Sequence, residues 1–220
     1  MRPGDVGDVP LDAQERRALC DLLENLGPGA PTLLPGWTAR DLAAHLLLRE
    51  HDVLAGPCLV LPGRFQRFAA RRQARLASRT DFGHLVQRLR SGPPPGVFRI
   101  GWVRSFPSLN EFFVHHEDLR RANALGPRTD LTPVMEAGLW RNVCRGGRYL
   151  SRHLPGIGLQ VERTATGERR TVRAGAPVVR LSGPPGERLL YLFGRQSAAQ
   201  VEATGPGEAL ATLRRTHIGM

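Results

Sequence analysis

NEFFVHHEDLRRAN, residues 110–123, decides how the rest of the chain is read. Phe112, Phe113 and Leu119 recur at the spacing of a helix that buries one face. Glu111 and His115 are four residues apart, so on a helix they stand one turn above each other. That spacing lets a carboxylate oxygen and an imidazole nitrogen converge on one cation. Asp118, three residues further along the same stripe, is placed to orient a ligand from behind.

Two ligands rarely make a site, so a third is expected from another segment. The stretch LPGWTARDLAAHLLLREHDVL supplies it. Thr38 and Asp41 form a capping-box pattern that opens a helix, and the helix is expected to end before Gly56-Pro57. His45 lies in its middle, among Leu42, Leu46 and Leu47, where an unpaired imidazole would be costly. A His45, Glu111, His115 set would leave coordination positions open, the habit of catalytic rather than structural zinc. Zinc comes first, but nickel, iron or manganese would suit the same nitrogen and oxygen donors.

Simpler readings compete. Ser108 and Glu111 make an S-x-x-E pattern, so Glu111 could merely close a helix start. A single His45 could be a satisfied core histidine. HHED is no zincin motif, because Arg120 stands four residues after His116. Arg49, one turn beyond His45, could hold an anionic substrate, or pair structurally with Asp118 or Asp52; the structural role is preferred. Trp37, just before the cap, reads as a hydrophobic staple. His51, His84, His153 and His217 have no partners at useful spacing.

The totals narrow the classes. The 220 residues suit one large domain or two small ones, and 41% hydrophobic residues suffice for a core. No apolar run reaches membrane-spanning length and residues 1–12 have no signal-peptide core, so a cytoplasmic chain is expected. Cys20, Cys58 and Cys144 are odd in number and far apart, which argues against a disulfide scaffold and a cysteine zinc site. The net charge of +11 points toward nucleic acid. All 31 basic residues are Arg, however, which reads as a compositional bias. The row Arg64, Arg67, Arg71 and Arg75, with Arg72 and Arg79, reads as a solvated face, and no nucleic-acid partner is expected. With no lysine, P-loop and Schiff-base chemistry are excluded.

Along the chain, helical patterns run through ERRALCDLLENLG, the His45 segment, RFQRFAARRQARLAS, DFGHLVQRLRSG, the quoted stretch and PVMEAGLWRNVCRGGRYLSRHL. Thr132-Pro133 sets the start of the last of these. After Pro155-Gly156 the texture changes. GLQVER and RRTVRA alternate about a T-G-E turn as a hairpin, PVVRLSG is a further strand, and GERLLYLFGR is helical. QVEATG and PGEALATLRR read as a last strand and helix. The expected organisation is a helical domain over 1–154 and a small α/β domain over 155–220, an α plus α/β fold.

LPGWTARDLAAHLLLRE, NEFFVHHEDLRRA and RLSGPPGERLLYLFGR together resemble the mycothiol-dependent maleylpyruvate isomerase family within the DinB-like superfamily, and more closely a metal-binding actinobacterial branch. The resemblance implies a DinB-like four-helix bundle with a divalent metal on His45, Glu111 and His115, followed by a small α/β domain. It also implies mycothiol as a possible cofactor, with a small-molecule thiol and an electrophilic substrate as partners and isomerisation or S-transfer as the reaction. Leu34 and Pro35 stand where related sequences often carry a cysteine. The alternative is a non-catalytic metal-binding or regulatory module.

Overall fold

A computed structural model describes residues 9–52, 54, 58, 63–163 and 166–219. The expected helix stop at Gly56-Pro57 and residues 1–8 of the N-terminus lie outside the described residues. The chain divides into two compact units, Met1–Arg128 and Thr129–Met220. Packing thus draws the division at 128/129 rather than 154/155, because the helix after Thr132 lies against the sheet that follows it. The fold is a helical N-terminal region followed by an α/β C-terminal part.

The first unit contains helices α1 (Leu11–Leu26), α2 (Ala39–His51), α3 (Arg64–Arg79), α4 (Phe82–Arg90) and α5 (Leu109–Ala122). Local signals explain several ends. Gly27 stops α1 in a left-handed conformation at φ 80°. The Asp41 carboxylate accepts from the Thr38 backbone N–H at 3.0 Å and from its hydroxyl at 2.6 Å, fixing the start of α2. Asp81 caps α4 by accepting from the His84 N–H.

The start of α5 does not use the competing capping pattern. Ser108 makes no side-chain cap; its backbone is already helical, continuing a wide helical turn over Arg104–Ser108 that contains Pro107. Proline removes one backbone donor, and the widened turn accommodates that loss. Glu111 is therefore released from capping.

Leu19, Cys20 and Leu23 of α1, Leu42, Leu46 and Leu47 of α2, Leu85, Val86 and Leu89 of α4, and Phe112 and Leu119 of α5 share one core. Each large apolar side chain withdrawn from water contributes about 1.5–3 kcal/mol, so this cluster dominates the stability of the unit. Ala69, Gln73 and Ala77 are the buried positions of α3, a narrow stripe of mostly small residues that allows close approach to α2. The arginines of α3 at 64, 67, 71, 72, 75 and 79 are exposed.

Within this core Arg16 and Glu50 form a buried two-pronged ion pair, with Nη2 2.8 Å from Oε1 and Nη1 on Oε2. The guanidinium also lies 4.2 Å over the Phe112 ring. The pair joins α1 to the C-terminal turn of α2, one turn beyond His45's neighbours.

The second unit carries helix α6 (Pro133–Leu150), strands β1 (Gly158–Arg163), β2 (Glu168–Arg173) and β3 (Val178–Gly183), helix α7 (Pro185–Leu192), strand β4 (Glu202–Thr204) and helix α8 (Gly207–Arg215). The sheet order is β2-β1-β3-β4, with β1 antiparallel to β2, parallel to β3, and β3 antiparallel to β4. Leu159, Val161, Val179 and Leu181 alternate inward. Gly147 of α6 lies so near β2 that a Cβ there would stand 2.6 Å from the Val172 Cβ. Among the described residues no helix is long and apolar enough to cross a membrane.

Removing one partner of a buried ion pair leaves an uncompensated charge. Arg16→Met should therefore cost about 3–5 kcal/mol in denaturant unfolding, with the Arg16→Met/Glu50→Met double variant recovering much of that loss. Equal instability of the single and double variants would show that the pair is not the source.

Candidate metal centre

Helix α5 resolves the puzzle of its own sequence by burying nearly all its faces, each against something different. Phe112 and Leu119 enter the apolar core. His116 faces α1, where its Nδ1 lies 2.7 Å from Glu15 Oε1, and Arg128 Nη1 meets the same oxygen at 2.5 Å. The Arg121 Nε donates to Glu117 at 2.8 Å. Glu111 and His115 face α2 and meet His45.

His45, Glu111 and His115 each offer a ligand atom, and these atoms lie within 4.8 Å of one another. Glu111 Oε2 stands 3.5 Å from His115 Nε2 and 3.9 Å from His45 Nε2. Both separations exceed a normal hydrogen bond. Two donors sharing one zinc at 2.0–2.1 Å in tetrahedral geometry stand about 3.4 Å apart, close to the shorter of the two. The two imidazole rings meet edge-on with centroids 5.2 Å apart.

The far side of each ring decides what faces the gap. His115 Nδ1 lies 2.9 Å from Asp118 Oδ2, a fully buried carboxylate that can only accept, so Nδ1 carries the proton. His45 Nδ1 lies 3.3 Å from Gln73 Oε1. The Gln73 amide is oriented by its Nε2, which donates to the Asp41 carbonyl at 3.4 Å, so Oε1 accepts from His45. With both Nδ1 atoms as donors, each neutral ring turns a bare Nε2 lone pair toward the Glu111 carboxylate. Three acceptors then face one another with no hydrogen between them. A proton or a cation in the gap would relieve that arrangement.

The electrostatics agree. Burial alone would lift the Glu111 carboxyl, but Arg49, His115 and His45 outweigh it and hold it well below the usual carboxylate range. Burial would also depress His115, yet Asp118 and Glu111 overcome it and raise its pKa. Burial pushes the His45 imidazole down and keeps it neutral, against the opposing pull of Glu111 and Gln73. A carboxylate beside one neutral and one proton-hungry imidazole is a donor set that a divalent cation fits, by taking the place of that proton.

Each sequence-nominated ligand thus meets the others, and Asp118 stands behind His115. His116 points away, toward Glu15 of α1. Three further side chains border the site, of which only Gln73 went unread in the sequence. Trp37, taken for a staple, packs its ring against His45 with centroids 5.2 Å apart and planes at 60°. Gln73 orients His45 from α3; its signal was a polar residue within the small stripe Ala69, Gln73, Ala77. Arg49 lies with Nε 3.9 Å from Glu111 Oε2, whereas the acids considered as its partners are engaged elsewhere, Asp52 by Arg72 at 2.7 Å and Asp118 by His115. Cys20, Cys58 and Cys144 are free thiols, and burial raises Cys20 to about 12.

Residues 12–57 match the family model described as the mycothiol maleylpyruvate isomerase N-terminal domain. Two solved structures are similar over most of the chain. One is the crystal structure of the mycothiol-dependent maleylpyruvate isomerase, at 19% identity and a TM-score of 0.56, covering 90% of this chain and 94% of that one. The other is a His-to-Ala mutant of the mycothiol-dependent maleylpyruvate isomerase, at 17% identity and a TM-score of 0.52 with the same coverage. Among curated proteins none matches. The chain therefore has the fold of the mycothiol-dependent maleylpyruvate isomerases, and its residues 12–57 carry the sequence pattern of their N-terminal domain.

Proposed function

We propose that this chain is a divalent-metal enzyme that uses a small thiol, mycothiol in the first instance, for isomerisation or S-transfer on a small electrophile. The metal would be held by His45, Glu111 and His115, with zinc the first candidate. The observation that carries this reading is the convergence of two bare Nε2 lone pairs and one carboxylate, each ring fixed from behind. The matched N-terminal pattern contains α2 and His45, and the similar solved structure is named as mycothiol-dependent.

The chain's own residues divide the work. Gln73 and Asp118 hold their imidazoles in the tautomer that offers Nε2. Asp118, buried against the Nδ1 side of His115, would also raise the basicity of His115 as a ligand. Trp37 covers one side of His45 and limits access of water there. A divalent ion so held would favour the thiolate form of a bound thiol, because a cation beside sulfur stabilises the deprotonated state. Acid–base roles are not assigned to Glu111 or His115, which serve as ligands.

A non-catalytic module in which the metal staples α2 to α5 is the competing reading. Cobalt substitution separates the two. Added mycothiol should change the visible bands of the cobalt-loaded protein and raise the absorption typical of sulfur ligation. Unchanged bands at saturating thiol would favour the staple.

Two substitution sets test the ligand assignment. His45→Ala should abolish stoichiometric metal, whereas His116→Gln should leave metal content nearly intact while weakening the fold. Metal retained by the first, or lost from the second, would show that the wrong imidazole has been chosen. Asp118→Ala should weaken metal affinity by roughly 10–100-fold in chelator competition. An unchanged affinity would remove Asp118 from the site.

A further inference from the structure

Arg49 is not consumed by the interactions around it. It sits one turn beyond His45 on α2, and only about 13% of its side chain is exposed. Its Nε faces the same Glu111 oxygen that meets both imidazoles, at 3.9 Å, beyond hydrogen-bond range. Its Nη1 is buried and has no hydrogen-bond partner among the described residues. The guanidinium rests 5.3 Å from the centre of the Phe98 ring, which fixes its plane without satisfying its donors. A buried cation with a free donor is costly, and its five donors suit planar or linear anions.

Charge points the same way. Around a divalent ion, Glu111 and Asp118 would offset the metal, and Arg49 would leave one positive charge in excess. A single anion completes neutrality. Resting on the metal reading above, we infer that Arg49 forms one half of an anion clamp whose other half is the metal. An exogenous anion beside the ion would accept a hydrogen bond from the unpartnered Arg49 donor. The ligand class is therefore a small anion with a terminal oxygen, nitrogen or sulfur donor, taken in preference to water. Arg49 sets this selectivity and is not needed to hold the ion.

Azide is the probe, titrated into cobalt-loaded protein and followed by visible absorption. Wild type and Arg49→Gln should both hold one cobalt per chain, but the variant should need about 10–100-fold more azide for half-saturation, the range of a charge-assisted hydrogen bond. Arg49→Lys, which keeps the charge and loses the fork, should fall between them. The clamp is overturned by equal azide midpoints in wild type and Arg49→Gln. It is also overturned if Arg49→Gln folds yet loses cobalt, since Arg49 then supports Glu111 alone. Should Arg49→Gln fail to fold, an Arg49→Lys midpoint equal to wild type overturns it. A wild-type chain that takes up no cobalt instead overturns the metal reading, and the clamp with it.

Discussion

Lone pairs without a hydrogen between them repel, and the first unit is built to hold three such acceptors together. The Glu111 carboxylate and the Nε2 atoms of His45 and His115 converge within 4.8 Å, on helices joined through a buried apolar core. The outer nitrogen of each ring lies beside a side-chain oxygen, Gln73 Oε1 for His45 and Asp118 Oδ2 for His115, which favours the tautomer with Nε2 bare. A positive charge at its centre would stabilise such an arrangement. The raised pKa of His115 is that demand expressed as proton affinity.

Everything nearby serves that constraint. The wide turn over Arg104–Ser108 leads the chain into α5 without a cap, leaving Glu111 free to face α2. The small stripe of α3 brings Gln73 close enough to reach His45. Arg16 and Glu50 lock α1 to the end of α2, while Glu15, His116 and Arg128 lock α1 to the other side of α5. Helices α2 and α5 are thus pinned from behind by ion pairs that lie outside the candidate site.

Much of this was legible because it depends on local spacing. Glu111, His115 and Asp118 share a helix, so i, i+4 and i+7 fixed their common face in advance. The strands alternated clearly, and the Thr38–Asp41 capping box named its own helix start. What escaped depends on contacts between segments distant in sequence. Gln73 looked like one more polar residue on an arginine-rich helix until α3 was seen to rest on α2. Arg49 was read either as an anion holder or, by preference, as a structural partner of Asp52 or Asp118, and those two acids are engaged by Arg72 and His115. Helix Pro133–Leu150 resembles the preceding helices in pattern, and contacts such as the close approach of Gly147 to Val172 show that it packs on the sheet.

X-ray absorption at the zinc edge, on protein purified without a histidine tag, tests the central claim most directly. Two imidazole nitrogens and one or two oxygens at about 2.0–2.1 Å are expected, with a sulfur appearing at about 2.3 Å only after mycothiol is added. A thiolate-rich shell before any thiol is added, or protein that reaches no stoichiometric zinc, would contradict it.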